Sequence, residues 1–129
     1  MTDEDGRRRL KVAVVGPSAA GKSTLVTALR EAGYNARHVG QEHSYVKDMW
    51  QRFVQPDVLI YLDVSFAESQ RRRPGDWGPQ RHAQEVERLA HARQHCDLYV
   101  PTDGLTAQDV REQALAFLRH LPPSAVAQD

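Results

Sequence analysis

The chain has 129 residues, 40% of them apolar and 26% charged, which is the composition of an ordinary soluble globular domain. Lysine and arginine together number 17, as do aspartate and glutamate, and this neutral balance argues against nucleic acid or an anionic membrane as a partner. The single cysteine, Cys96, excludes a disulfide within the chain and fits a reducing compartment.

Both ends of the chain are predicted to be flexible tails outside one folded domain. Residues 1–10 are mostly charged and lack the apolar core of a signal peptide, and residues 122–129 begin with two prolines. No apolar run in the sequence approaches the length of a membrane span. We therefore expect a cytoplasmic protein whose domain covers residues 11–121.

Short apolar runs predict four strands, which are Lys11–Val15, about Ala36–Gln41, Val58–Leu62 and Asp97–Val100. Helical spacing of apolar side chains predicts helices from residue 22 to Gly33 and over Ser44–Val54, Phe66–Arg73, Gln80–His95 and Thr106–Leu121. Thr106 and Asp109 have the spacing of a capping pair at the start of the last helix. Because strands alternate with helices, we expect a three-layer α/β/α fold with a small parallel sheet of four to five strands in the order 2-1-3-4.

The segment after the first strand matches the pattern G-x-x-x-x-G-K-S of phosphate-binding loops. Its two glycines allow a tight turn in which successive N–H groups face an anion, and the following helix directs its positive end at the same place. The lysine of this pattern reaches the β- and γ-phosphates of a nucleotide, and the serine hydroxyl ligates Mg²⁺. The predicted nucleotide-binding residues here are Gly16, Pro17, Ser18, Ala19, Ala20, Gly21, Lys22, Ser23 and Thr24.

Other motifs in the chain favour transfer of a phosphoryl group over its hydrolysis. The sequence contains neither the N-K-x-D that reads guanine in GTPases nor an LSGGQ-like signature. Many ATPases place a glutamate directly after a strand-end aspartate to activate water, but here Asp63 is followed by Val64. No residue is an obvious activator of water, so transfer to a bound acceptor is the better hypothesis.

Four segments resemble those of P-loop kinases that act on nucleosides, nucleotides or other small molecules. Residues 16–24 (GPSAAGKST) look like their phosphate loop, and residues 56–64 (PDVLIYLDV) resemble a strand of thymidylate and adenylate kinases. Residues 41–48 (QEHSYVKD) are similar to the segment after the second strand of uridine kinases, and residues 97–105 (DLYVPTDGL) to the last strand and the turn beside adenine. The resemblance implies a P-loop NTPase fold, ATP and Mg²⁺ as cofactors, and Thr102 and Asp103 as neighbours of the base.

Two acidic residues at predicted strand ends are candidates for the chemistry. Glu42 is the first choice, either to orient the acceptor hydroxyl or to hold Mg²⁺ together with Ser23. Asp63 is a second candidate metal ligand, although it equally suits a role as a helix cap or a tie within the sheet.

A lid is predicted where three consecutive arginines, 71–73, precede a loop with two glycines and two prolines, which is followed by Arg81. In the kinases this region closes over the transferring phosphates, so the resemblance implies a phosphate contact from among Arg72, Arg73 and Arg81. Arg73 and Arg81 are taken as the catalytic arginines, alongside Lys22 and Glu42. Tyr45, Lys47 and Asp48 are candidates for the acceptor pocket.

Alternative functions remain open at this point. The insertion that closes over an acceptor nucleotide in the kinases is missing, which argues against a nucleoside monophosphate as the acceptor. ATP and GTP both stay open as the donor. An ATP-hydrolysing or nucleotide-sensing protein that acts on a partner protein is the main alternative. A non-catalytic nucleotide-binding module is another.

Overall fold

A computed structural model describes residues 10–121, without the side chains of Phe53 and Val54. Residues 1–9 of the first predicted tail and the whole of the second, 122–129, lie outside the described residues. Leu10, which the sequence placed in the first tail, is buried against the sheet. None of the helices in the described range is long and apolar enough to cross a membrane.

Four parallel strands form a single sheet. They are β1 (Lys11–Val15), β2 (Asn35–His38), β3 (Val58–Asp63) and β4 (Leu98–Pro101), and their order across the sheet is β2-β1-β3-β4. Val14 of β1 lies opposite Ile60 of β3, which in turn lies opposite Leu98 of β4. The predicted α/β class, the parallel sheet and the strand order 2-1-3-4 are therefore confirmed.

Helices cover both faces of this sheet. They are α1 (Lys22–Glu31), α2 (Met49–Val54), α3 (Phe66–Arg72), α4 (Pro79–Arg88), α5 (Ala90–His95) and α6 (Ala107–Arg119). Alternate residues of the strands point to opposite faces, so the apolar core has two parts. Val12, Val14 and Ile60 pack with α1 and α6 on one face, whereas Ala13 and Tyr61 pack with α2 and α5 on the other.

The chain between β2 and α2 is less helical than the sequence predicts. Strand β2 ends at His38, a 3₁₀ turn covers Gln41–His43, and α2 begins only at Met49. The cause is the buried side chain of Gln41, which accepts a hydrogen bond from the Trp50 amide (2.8 Å) and donates one to the Val46 carbonyl (2.8 Å). These bonds stabilise a compact loop in place of the first helical turns.

The long helix predicted over Gln80–His95 is two helices that meet at Leu89. Leu89 is completely buried on the α2 and α5 face, and its amide donates to the carbonyls of both Glu85 and Val86. Such a shared bond is typical of a helix end. The last helix starts as predicted, with a capping box between Thr106 and Asp109.

Two aspartates align the strands at the amino-terminal edge of the sheet. Asp57 accepts a hydrogen bond from the Lys11 amide through its carboxylate and donates its own amide to the Lys11 carbonyl, both at 2.8 Å. Asp97 makes the same two bonds, also at 2.8 Å, with Leu59. The ladders therefore extend beyond the strands, and the opposite, carboxyl-terminal edge is left to the loops that form the candidate site.

Candidate functional site

The loop of residues 16–23 joins β1 to α1 and lies against the backbone of β3. A Cβ atom at Gly16 would lie 2.1 Å from the Leu62 carbonyl oxygen, so only glycine fits this position. Gly21 has φ +96° directly before α1, and Ala19 adopts φ +69°, which is uncommon for a residue with a side chain. The loop thus has the tight backbone path that the motif predicts.

Lys22 is held inside this loop. Its side chain is only 6% exposed, and its ammonium group donates to the carbonyls of Gly16 (2.7 Å) and Pro17 (2.9 Å). The same nitrogen lies 3.0 Å from Oε2 of Glu42. The three donors of the ammonium group therefore meet two loop carbonyls and one carboxylate.

Glu42 comes to this place from the 3₁₀ turn that follows β2. It is 2% exposed, and its Oε2 also lies 3.5 Å from Nε2 of His43. Its second oxygen, Oε1, is buried and has no hydrogen-bond partner among residues 10–121. A buried carboxylate oxygen without a donor is unfavourable by about 1–3 kcal/mol, so this atom favours a hydroxyl, a water molecule or a cation beside it.

A cavity of about 320 Å³ lies over the loop and the start of α1. It brings together six of the predicted site residues that carry polar side chains, namely Ser18, Lys22, Ser23, Thr24, Glu42 and Arg73. His38, His43 and Arg72 also contribute to its wall. Partial burial, and then the positive charge of Lys22, lower the pKa of His38 below its usual value.

A second cavity, of about 380 Å³, adjoins the first and shares Ala19, Gly21, Thr24 and Arg72 with it. Its remaining wall is largely apolar and comes from α1, α6 and the turn after β4, and it includes the predicted residue Thr102. Asp103 does not line it, and its carboxylate instead accepts a hydrogen bond from the Ser65 amide (3.0 Å). Hydrogen bonding to the side chain of Ser65, and then to its backbone, lowers the pKa of Asp103. The two cavities together form a polar compartment beside an apolar one.

Arg72 lies on the border between the two cavities and donates four hydrogen bonds to three residues. It donates to the carbonyl of Ala19 (3.0 Å), to the hydroxyl (3.1 Å) and carbonyl (2.8 Å) of Thr102, and to Glu68 (2.9 Å). The loop and the turn after β4 are therefore connected through one guanidinium group. Four of the five N–H donors of Arg72 are used in these bonds, so its role in this structure is to hold the loop in place.

The two arginines predicted to be catalytic differ in position. Arg73 is exposed at the wall of the polar cavity, and its side chain has no hydrogen bond or ion pair within the described part of the chain. Arg81 lines neither cavity and instead lies 3.7 Å from Glu85 and 5.7 Å from the centre of the Trp77 ring. The structure brings the first arginine to the loop and not the second.

The predicted lid is packed down between α3 and α4. Trp77 meets the edge of Phe66 with ring centres 5.6 Å apart, and its carbonyl accepts a hydrogen bond from Gln70 (2.7 Å). Tyr45, one of the acceptor-pocket candidates, is exposed, and the guanidinium of Arg88 lies 4.5 Å from the centre of its ring. Neither Tyr45 nor the lid residues 74–81 line either of the two cavities beside the loop.

Asp63 is directed to its neighbours in the sheet. Its carboxylate accepts hydrogen bonds from the Val64 amide (2.9 Å) and from the Tyr99 hydroxyl, and it lines neither cavity. Burial and this contact raise the pKa of Tyr99. No three histidine, cysteine, aspartate or glutamate side chains lie together as a metal-ligand set in the described range. Of the two candidate acids, Glu42 is therefore the one beside the loop.

Glu85 is a residue of this region that sequence reasoning missed. Its carboxylate, 1% exposed, accepts hydrogen bonds from the amide (2.9 Å) and the hydroxyl (2.8 Å) of Ser18. The available signal was its spacing, because it lies one helical turn before Leu89 and therefore on the buried face of α4. A charged residue at a core-facing position is a reason to look for a polar partner.

Comparison of the chain with protein-family models, with curated proteins and with solved structures found no match. The resemblance to the P-loop kinases therefore depends on the motifs quoted above.

Proposed function

We propose that this protein transfers a phosphoryl group from ATP to the hydroxyl of a small acceptor molecule. The observation that carries the proposal is Glu42, a buried carboxylate at the loop with one oxygen paired to Lys22 and the other without a partner. A fixed acceptor atom in a water-poor place is what orientation of a reacting hydroxyl requires. The proposed fold is accordingly that of a P-loop NTPase, supported by the loop geometry and by the position of β1 within the parallel sheet.

The phosphates of the nucleotide would lie in the polar cavity against the N–H groups at the start of α1. Lys22 would leave the two loop carbonyls and pair with phosphate oxygens, and Arg73 supplies a second cation at the cavity wall. The apolar cavity beyond Arg72 is of a size and character that suits a nucleoside, with Thr102 in its wall. Each part of the nucleotide therefore has a compartment of matching polarity.

The residues present also fit a magnesium ion. Ser23 is exposed at the cavity and Glu42 offers the unpaired oxygen Oε1, and hydroxyl and carboxylate oxygens are ligands that Mg²⁺ accepts. When bound, the ion neutralises the charge of the phosphates. Glu42 thus has two alternative roles through this one oxygen, either as a ligand of Mg²⁺ through water or as the group that orients the acceptor hydroxyl.

The test is a thermal-shift and turnover screen with ATP·Mg²⁺ or GTP·Mg²⁺, each alone and with nucleosides, sugars or other small hydroxyl compounds. We expect the nucleotide to raise Tm and one acceptor class to raise it further only when nucleotide is present. Glu42→Gln is expected to bind nucleotide within a few-fold of the wild type and to lose about 100-fold in transfer rate. Glu112→Gln, an exposed change on α6, is the control. Failure of both ATP and GTP to shift Tm overturns the proposal.

A second function, nucleotide hydrolysis or sensing coupled to a partner protein, has one observation in its favour. Tyr45 is 86% exposed and Val46 45% exposed, and both lie within three residues of the end of the 3₁₀ turn that carries Glu42. Exposed apolar side chains next to a nucleotide site suit a protein contact that responds to the bound phosphate. Turnover of ATP without any acceptor, unchanged by the small-molecule screen, would favour this function over transfer.

A further inference from the structure

The loop of residues 16–23 is attached to the helix α4 by a buried carboxylate that the proposed reaction does not use. Glu85 of α4 binds Ser18 through both of its oxygens, one to the amide and one to the hydroxyl. Its nearest cation is the exposed Arg81, at 3.7 Å from Oε2. The carboxylate therefore depends mainly on the two Ser18 donors for its stability in the protein interior.

This contact removes Ser18 from the set of donors that face the polar cavity. The amide hydrogen and the single hydroxyl hydrogen of Ser18 are both committed to Glu85, although the residue itself lines the cavity. Its next neighbour, Ala19, has φ +69° and a carbonyl bound to Arg72. Two consecutive loop residues are thus fixed by two different helices, α4 and α3.

We propose that Glu85 is a positioning residue for the phosphate-binding loop, and that its charge at the same time limits how tightly the loop holds a nucleotide. Glu85 acts through Ser18: it fixes the first half of the loop, so that the N–H group of Ala19 and those at the start of α1 form the phosphate contact. The Ala20 amide is already bound to the Pro17 carbonyl (3.2 Å). A negative charge directly behind the loop also repels the phosphates, which lowers affinity and speeds release of the product. This inference rests on the proposed binding of nucleotide by the loop, and not on the identity of the acceptor.

The two effects of Glu85 are separable because Glu85→Gln removes the charge and keeps an oxygen that accepts the Ser18 amide. We expect Glu85→Gln to bind ADP·Mg²⁺ about tenfold more tightly than the wild type, with slower release of the nucleotide. Glu85→Ala loses the positioning as well, and we expect it to bind about tenfold more weakly than Glu85→Gln. Glu87→Gln, an exposed change two residues along α4, is the matched control and should leave the affinity unchanged.

Ser18→Ala adds a test of the role given to the hydroxyl. If this hydroxyl serves Glu85, its loss should change nucleotide affinity by no more than about threefold, whereas a hydroxyl that binds phosphate would give a loss of tenfold or more. Affinities are measured by calorimetry at a temperature where every variant is folded, and Tm is recorded separately for stability.

The outcomes separate this inference from the proposed function. A wild-type protein that binds neither ADP nor ATP overturns both. A wild-type protein that binds nucleotide, with Glu85→Gln and Glu85→Ala equal to it in affinity and altered only in Tm, overturns the positioning role and leaves the proposed function in place. A tenfold loss in Ser18→Ala also overturns it.

Discussion

Lys22 and Glu42 form an ion pair of 3.0 Å in which both side chains are almost completely buried. A buried pair contributes little compared with an apolar pair of the same shape, but removal of one partner leaves a charge in a place of low polarity. Stability and nucleotide binding are therefore linked at this pair, and experiments on the lysine must separate them.

We expect Lys22→Met to lower the free energy of unfolding by about 3 kcal/mol, because Glu42 is then buried without its cation. Urea unfolding measures the loss. The double variant Lys22→Met with Glu42→Gln should recover most of it and serves as the folded control for loss of nucleotide binding. Equal losses in the single and the double variant would mean that the pair is not the cause.

Gly16 and Gly21 should respond differently to alanine. At Gly16 the new Cβ would lie 2.1 Å from the Leu62 carbonyl oxygen. Because the clash is between the backbone of the loop and the backbone of β3, neither shifts easily. We therefore expect the free energy of unfolding to fall by more than about 4 kcal/mol, or no folded protein. At Gly21 no atom lies within 4 Å of the new Cβ, and only φ +96° is unfavourable, which predicts a loss of about 1–2 kcal/mol. Urea unfolding of the two variants side by side tests this, and equal stability would contradict it.

His38 makes the stability of the protein depend on pH. Its pKa in the folded protein is lowered by burial and by Lys22 and His43, against an opposing effect of Glu42, so the unfolded chain binds the proton more readily. The stability that His38 contributes is therefore complete above pH 6.5 and is lost as the pH falls from there toward the lowered pKa. When the free energy of unfolding is measured between pH 5 and 8, that of His38→Gln should lack this dependence on pH. His120→Gln, at the exposed end of α6, should retain it.

Substitution of Arg73 and of Arg81 should have different effects on the rate of phosphoryl transfer. Arg73 is the cation at the cavity wall without a partner in the described range, so we expect Arg73→Ala to reduce the rate of phosphoryl transfer by tenfold or more, with a smaller effect on stability. Arg81→Ala should change the rate by less than about threefold, because its guanidinium contacts Glu85 and Trp77 instead. Arg71→Ala controls for the loss of a neighbouring positive charge. A larger effect of Arg81 would indicate that α4 moves during the reaction.

The sheet could be predicted from the sequence because its strands are buried. Runs such as Val58–Leu62 are apolar on both faces, which is the pattern of an inner parallel strand, and β1 has the same bounds in prediction and structure. The loop was visible because its motif is contiguous in the sequence, and Gly21 needs only its own φ of +96°. The contact that requires glycine at position 16, with the Leu62 carbonyl of β3, is known only from the fold. Patterns of this kind are local, and local patterns are what a single sequence reports.

The parts that sequence reasoning missed depend on single polar side chains whose hydrogen-bond partners cannot be recognised from a sequence pattern. Gln41 replaces the first turns of the helix predicted at Ser44–Val54 by binding the backbone of Trp50 and Val46. Glu85 was not among the predicted site residues, because its partner Ser18 lies 67 positions away. The difference between Arg73 and Arg81 is likewise one of direction, which the spacing of charged residues does not reveal. Pairings between distant residues require the fold to be known first.

The paired bonds of Asp57 to Lys11 lie at the edge of the sheet opposite the loop, which is roughly 17 Å away along a strand the length of β3. They determine which residue of β1 stands beside which residue of β3, and a slip by one position would exchange the two faces of a strand. Asp97 does the same for β4, whose end carries Thr102 to the carbonyl of Asp63 (2.9 Å). The alignment of Gly16 with Leu62 is therefore set from the far side of the molecule, and a change at Asp57 would misplace the loop without touching any residue in it.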